Sequence, residues 1–166
     1  MNKELVKKYI DTQPIKVVAK LDLDKEKLEY DKIVQCQKRT DAKPEELCRA
    51  YLLTKLVNEL GYAPERIEIE HEYTAGRPHT ITSRIDVIVR DAKGDAFLFI
   101  EVKNQDEYAT IDKDSVIEEQ LFKLAGMERT EGHDVRYLIL YISHSNTSRF
   151  HATCYLVRQG SLYGVR

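Results

Sequence analysis

The run Ile85-Asp86-Val87-Ile88-Val89-Arg90-Asp91-Ala92-Lys93-Gly94-Asp95-Ala96-Phe97-Leu98-Phe99-Ile100-Glu101-Val102-Lys103 decides the fold. Its two ends are β-branched and aromatic, which suits strands, and the middle carries Gly94 in a polar turn. The spacing predicts a hairpin with its turn at residues 91–95. Both strands are apolar almost without a break, as strands covered on both faces of a sheet are. Two carboxylates, Asp86 and Glu101, interrupt them.

Working outward, Pro44 suits the first position of a helix because its missing N–H is not needed there. Glu45 and Glu46 follow in the first turn, where the helix dipole favours negative charge. Leu53, Leu56, Val57 and Leu60 recur at helical spacing, and Gly61 suits a C-terminal cap, so a helix is predicted over 44–60. Ile67, Ile69, His71 and Tyr73 alternate with Glu68, Glu70 and Glu72, a half-buried strand, before a loop with Gly76 and Pro78. A second helix is expected over 115–129, capped by Asp114 or Ser115, with Ile117, Leu121, Leu124 and Ala125 on one face. Residues 135–142 and 153–157 read as further strands. The order from residue 44 is αβββαβ plus a strand, an α/β fold with a central mixed β-sheet flanked by helices. Residues 1–43 read as an N-terminal extension packed on the core of 44–166 within a single domain. A short helix at 3–9 and strands at 15–20 and 28–34 are expected in it.

The 166 residues fit one domain with a sizeable core, and 33% charged residues fit a well-solvated surface. The formal net charge is -2, so the chain lacks the basic excess of a free-standing non-specific DNA-binding module. Cys36, Cys48 and Cys154 are far apart and odd in number, which argues against a disulfide framework or a zinc knuckle. No stretch has signal-peptide or membrane-spanning character, and a cytoplasmic location is expected.

Burying a carboxylate is costly unless it is paired or binds a metal. Side chains along a strand repeat every two residues, so Glu101 and Lys103 share a face, and the hairpin brings Asp86 beside them. Two neighbouring carboxylates repel, and a divalent cation relieves the conflict. Hard oxygen ligands suit magnesium, with manganese as a substitute. Lys103 beside such a site can hold or activate water, or steady a phosphate. The plain alternative is ordinary ion pairing, Asp86 with Arg84 or Arg90 and Glu101 with Lys103. Replacing Asp86 by Ala is expected to abolish magnesium-dependent activity and leave folding largely intact.

Four segments carry a family resemblance: Pro44-Glu45-Glu46-Leu47-Cys48-Arg49, Ile67-Glu68-Ile69-Glu70, Ser83-Arg84-Ile85-Asp86-Val87-Ile88-Val89 and Phe99-Ile100-Glu101-Val102-Lys103-Asn104. Together they resemble the nuclease domain at the N-terminus of the R (HsdR) subunit of type I restriction enzymes, within the PD-(D/E)XK superfamily. That resemblance implies a restriction-endonuclease-like core. It makes Asp86 and Glu101 the metal-binding acids, Lys103 the catalytic lysine, and Glu46 the helix acid that supports a metal-bound water. Glu46 reads equally well as a helix acid favoured by the dipole. The Val102 carbonyl is expected to face the metal. Gln120 matches the glutamine of a Gln-x-x-x-Tyr motif, but Leu124 stands where that motif has Tyr, and a surface glutamine is the simpler reading of Gln120 alone. Glu70 is a possible accessory acid.

The resemblance implies a magnesium-dependent endodeoxyribonuclease acting on double-stranded DNA in a type I restriction-modification system. No GxxxxGK[ST] loop is present, so translocation falls to a fused domain absent here or to other restriction-modification subunits. An excised domain and a stand-alone relative are both compatible with this chain. The alternatives are a non-catalytic DNA- or subunit-binding module on the same fold and another PD-(D/E)XK repair nuclease. His71, His79, His133, His144 and His151 show no zinc-ligand spacing.

Overall fold

The computed structural model describes residues 1–34, 39–75, 81–110, 112, 115–146, 149–158 and 161–165. Cys36, Gly76, Pro78, His79 and Asp114 lie outside the described residues, and with them the loop expected before the hairpin and one of the two helix caps.

Helix α1 (Lys3–Thr12) begins at Asn2, whose side chain accepts the Leu5 N–H. Strands β1 (Val18–Asp22), β2 (Lys27–Tyr30) and β3 (Arg39–Asp41) form an antiparallel three-stranded sheet. Both extension strands therefore differ from the expected 15–20 and 28–34. Ile15 is 42% exposed and stays outside β1. β2 stops early because Asp31 turns the chain: its carboxylate accepts the Ile33 N–H at 3.0 Å, an Asx turn.

Helix α2 (Pro44–Asn58) starts at Pro44 as expected but ends two residues short of 60. Leu60 lies past its end and is 59% exposed, and Gly61 takes φ +74 there. α2 is buried along nearly all its length, Glu46 to Leu53 without a break. A helix enclosed on all sides lacks a polar face. On one side lies the extension, with Val6, Ile10, Leu21 and Leu28, and on the other the large sheet, with Ile69, Val87 and Ile100, all in one apolar cluster.

The large sheet has six strands in chain order: β4 (Ile67–Ala75), β5 (Ile81–Arg90), β6 (Ala96–Asn104), β7 (Val135–Ser145), β8 (Phe150–Arg158) and β9 (Ser161–Val165). Only β6 and β7 run parallel, so the sheet is mixed. The predicted hairpin closes between β5 and β6, where Gly94 takes φ +92. α3 (Gln105–Thr110) follows β6 and was not anticipated; Asn104 caps it by accepting the Asp106 and Glu107 N–H groups. The helix expected over 115–129 is a π-helical segment, Val116–Phe122, continuing into α4 (Lys123–Thr130). Its Ile117, Leu121, Leu124 and Ala125 pack with Ile88, Phe99 and Leu140 as a second apolar cluster on the other face of the sheet.

The pleat reverses in the middle of β4 and β5. Val87 and Val89 belong to the α2 face, whereas Ile85 belongs to the opposite face, although all three share a parity. Ile69 and Tyr73 on β4 divide the same way. Between them lie Asp86 and Glu70, and Glu70 takes φ +53. This left-handed backbone on a non-glycine residue is a strained state that neighbouring contacts must hold. The paired register of β4 and β5 passes from Ile69↔Val87 to His71↔Ile85, omitting Glu70 and Asp86.

Candidate metal centre

The β5–β6 ladder ends at Val87↔Ile100. Beyond that point the Asp86 side chain takes over from the backbone: its Oδ2 accepts the Val102 N–H at 2.8 Å. Asp86 Oδ1 accepts from Arg49 at 2.5 Å. Asp86 therefore pairs with neither Arg84 nor Arg90. Arg90 bonds Glu68 and Glu128, and Arg84 lies 3.5 Å from Glu70.

Arg49 organises the acids. It is 3% exposed. Its guanidinium donates to both Glu46 oxygens at 2.9 and 3.0 Å, to Glu70 at 3.1 Å and to Asp86. The Tyr30 hydroxyl on β2 donates to Glu46 at 2.6 Å, so the extension fixes this carboxylate as well. Glu46 and Arg49 lie one helical turn apart, where side chains meet. The same clamp holds Glu70 in its left-handed conformation.

A different helix acid faces the strands. Glu45, Asp86 and Glu101 bring ligand oxygens to within 4.8 Å of one another. Lys103 Nζ donates to Glu101 at 2.6 Å and to Glu45 at 3.0 Å. The expected convergence of Asp86 with Glu101 and Lys103 is thus present, and Glu45 rather than Glu46 completes the triangle. Val102 enters through its amide. Gln120 makes no contact with these acids among the described residues; its Oε1 is buried without a hydrogen-bond partner.

Electrostatics at the site favour a cation. Five carboxylates (Glu45, Glu46, Glu70, Asp86 and Glu101) face three cations, Arg49, Arg84 and Lys103. Glu101 is 3% exposed, and its Oε2 has no hydrogen-bond partner. Burial, then the charge of Asp86, pushes the Glu101 carboxyl up to about 8, with Lys103 opposing. Burial also raises Glu45 above the usual carboxylate range. Lys103 and Arg49 are held firmly in their charged forms by the surrounding acids, against the opposing effect of burial.

A hard divalent cation fits this donor set: three carboxylates within reach of one point, one buried oxygen without a partner, and more acidic than basic groups around it. A second gathering, His71 with Glu128 and Glu131, lies on the other face. There Arg90 and the Tyr73 hydroxyl bond Glu128, and His71 bonds Glu68 at 2.9 Å, which makes it an ion-pair network joining α4 to β4 and β5.

Sequence reasoning missed Glu45 and the role of Arg49. The available signal was the Glu-x-x-Arg spacing at the start of the predicted helix. Among the described residues no helix is long and apolar enough to cross a membrane. No curated protein matches the chain. Residues 44–124, from the first residue of α2 through the π-helical segment, match the family described as type I restriction enzyme R protein N terminus.

Proposed function

We propose, from the match of residues 44–124 to the family of type I restriction enzyme R protein N termini, that the chain is a cytoplasmic, magnesium-dependent endonuclease unit. Its substrate is the phosphodiester backbone of double-stranded DNA, and other restriction-modification subunits supply site choice and translocation. The observation that carries this reading is the partnerless Glu101 oxygen, buried beside Asp86, Glu45 and Lys103.

Glu101, Asp86 and Glu45 would hold the cation, magnesium or manganese. When bound, it polarises the phosphate and acidifies water. The residues do the rest. Lys103 keeps its proton because three acids surround it. It therefore acts as a fixed positive charge that orients water and offsets charge on the phosphate, not as a base. Glu45 is the most exposed of the three acids, so it would orient the attacking water by accepting a hydrogen bond from it. Arg49 touches no reacting atom in this scheme. It positions Asp86 and pairs with Glu46 and Glu70.

One observation favours the non-catalytic alternative: both Asp86 oxygens already have partners, Arg49 and the Val102 amide. A carboxylate retains further lone pairs, so the two readings part on experiment. Supercoiled plasmid incubated with the chain and magnesium or manganese should be nicked or linearised, with chelator and Lys103→Met each abolishing the reaction. Cleavage that survives Lys103→Met would remove this site from the chemistry.

A further inference from the structure

The N-terminal extension and the core carry opposite charge. Residues 1–43 hold eleven Lys and Arg against eight Asp and Glu, while residues 44–166 hold fifteen against twenty. Part of this basic surplus lines one cavity. A cavity of about 510 Å³ opens between the β1–β2 turn, the end of β3 and the start of α2, lined by Lys3, Lys25, Glu26, Lys27, Asp41 and Lys43 among others. Lys3 pairs with Glu26 and Lys27 with Asp41. Four lysines thus face two acids in the lining; Lys25, itself exposed, also lies 3.9 Å from Asp22 at the end of β1, and of the four Lys43 is the nearest to the acid triangle along the chain.

The cavity lining runs along the chain to the residue before the candidate metal centre, ending at Lys43 and Pro44. Lys43 immediately precedes Pro44, and Glu45 of the acid triangle is two residues from Lys43, a chain distance of at most about 7 Å. Successive phosphates along one strand of a duplex rise by about 3.4 Å. Lys43 therefore lies within the span that separates neighbouring phosphates from one held at the acid triangle. Tyr30, also on the extension, is bonded to Glu46 of the same helical turn, which fixes the cavity relative to the centre.

We infer that this lysine-lined cavity is a phosphate-backbone contact for duplex DNA, seating phosphates next to the one presented to the acid triangle. The inference rests on the nuclease reading above and adds the path of the flanking strand. It also accounts for how a chain of net charge -2 approaches a polyanion: the contact is local and lies on the extension.

The test is salt-dependent binding of a labelled duplex by fluorescence anisotropy, in calcium, which occupies oxygen sites. Wild type is compared with the double variant Lys25→Ala/Lys43→Ala and with Lys93→Ala. Lys93 is an exposed residue in the β5–β6 turn, at the opposite end of β6 from the acids. The double variant should bind more weakly, and the slope of log K against log salt should become shallower by about 1.8, because each phosphate that a lysine no longer neutralises removes about 0.9 from it. Lys93→Ala should match wild type. Manganese binding, measured separately without DNA, should be unchanged in the double variant. If wild type binds and the double variant shows the same affinity and slope, the cavity inference is overturned while the nuclease reading stands. If wild type binds no duplex at any salt, both are overturned.

Discussion

Replacing Glu101 by Gln should stabilise the metal-free protein at alkaline pH. The charge of Glu101 sits beside Asp86 with one oxygen lacking any hydrogen bond. An unsatisfied buried acceptor costs about 1–3 kcal/mol, more when charged. Gln has nearly the same shape, keeps an oxygen for Lys103, and offers N–H donors to the Asp86 and Glu45 oxygens nearby. The sign follows from linkage. Glu101 binds its proton more tightly folded than unfolded, so its contribution is fully present below the ordinary value of 4.5 and is lost as pH rises to about 8. The advantage of the Gln variant is therefore absent near pH 4.5, grows across that window and levels off above it. For a domain of this size 1 kcal/mol moves Tm by roughly 2–4 °C, so a gain of about 2–12 °C is expected at pH 8.5. Thermal melts of both proteins in chelator at pH 5 and pH 8.5 measure it. A variant less stable than wild type at pH 8.5, or a difference independent of pH, would refute the assignment of Glu101 as an uncompensated buried acid.

Arg49→Met should act in the opposite direction. It strands Glu46, Glu70 and Asp86 without their shared cation, a destabilisation of about 3–5 kcal/mol and roughly 6–20 °C in Tm; calorimetry showing a drop under 2 °C would contradict the clamp. Asp86→Ala removes partners from Arg49 and the Val102 amide together, so it should destabilise the fold as well as abolish activity, contrary to the expectation from sequence. Urea unfolding of that variant decides between them. Tyr30→Phe should cost about 1–3 kcal/mol through its bond to Glu46, without altering manganese affinity; a manganese affinity that falls with it would place Tyr30 in the site itself. On the other face, His71 is raised by its hydrogen bond to Glu68, and Glu68 is lowered to about 2 by His71 and Arg90 despite burial. The His71 contribution is fully present below 6.5 and fades as pH rises through its raised value; that of Glu68 is present above 4.5 and is lost as pH falls toward 2. Hence His71→Ala should destabilise more at pH 6 than at pH 9 in paired melts, and equal effects at the two pH values would argue against the ion pair.

The αβββαβ order was legible because periodicity reports burial directly. The continuous apolar runs of β5 and β6 announced interior strands, and Gly94 announced their turn. Asp86, Glu101 and Lys103 stood out for the same reason, as charges where the pattern calls for carbon. Glu45 and Glu46 are adjacent first-turn acids, and sequence cannot say which one faces the strands; that depends on the side of α2 that meets Tyr30 and Arg49. The pleat reversal at Glu70 and Asp86 is equally silent, because Glu70 is held in its left-handed state by a guanidinium 21 residues away along the chain. Leu60 looked like the next apolar helical position, but Gly61 ended the helix before it. The π-helical turn around Gln120 leaves no mark on a pattern read at ordinary helical spacing.

The central claim is that the acids converge to hold a divalent cation. Titrating the metal-free chain with manganese in a calorimeter, wild type beside Glu101→Gln, tests it most directly. Saturable binding in wild type that disappears in the folded variant is the predicted result. Equal binding by both, or none by wild type whether or not a DNA duplex is present, would contradict it.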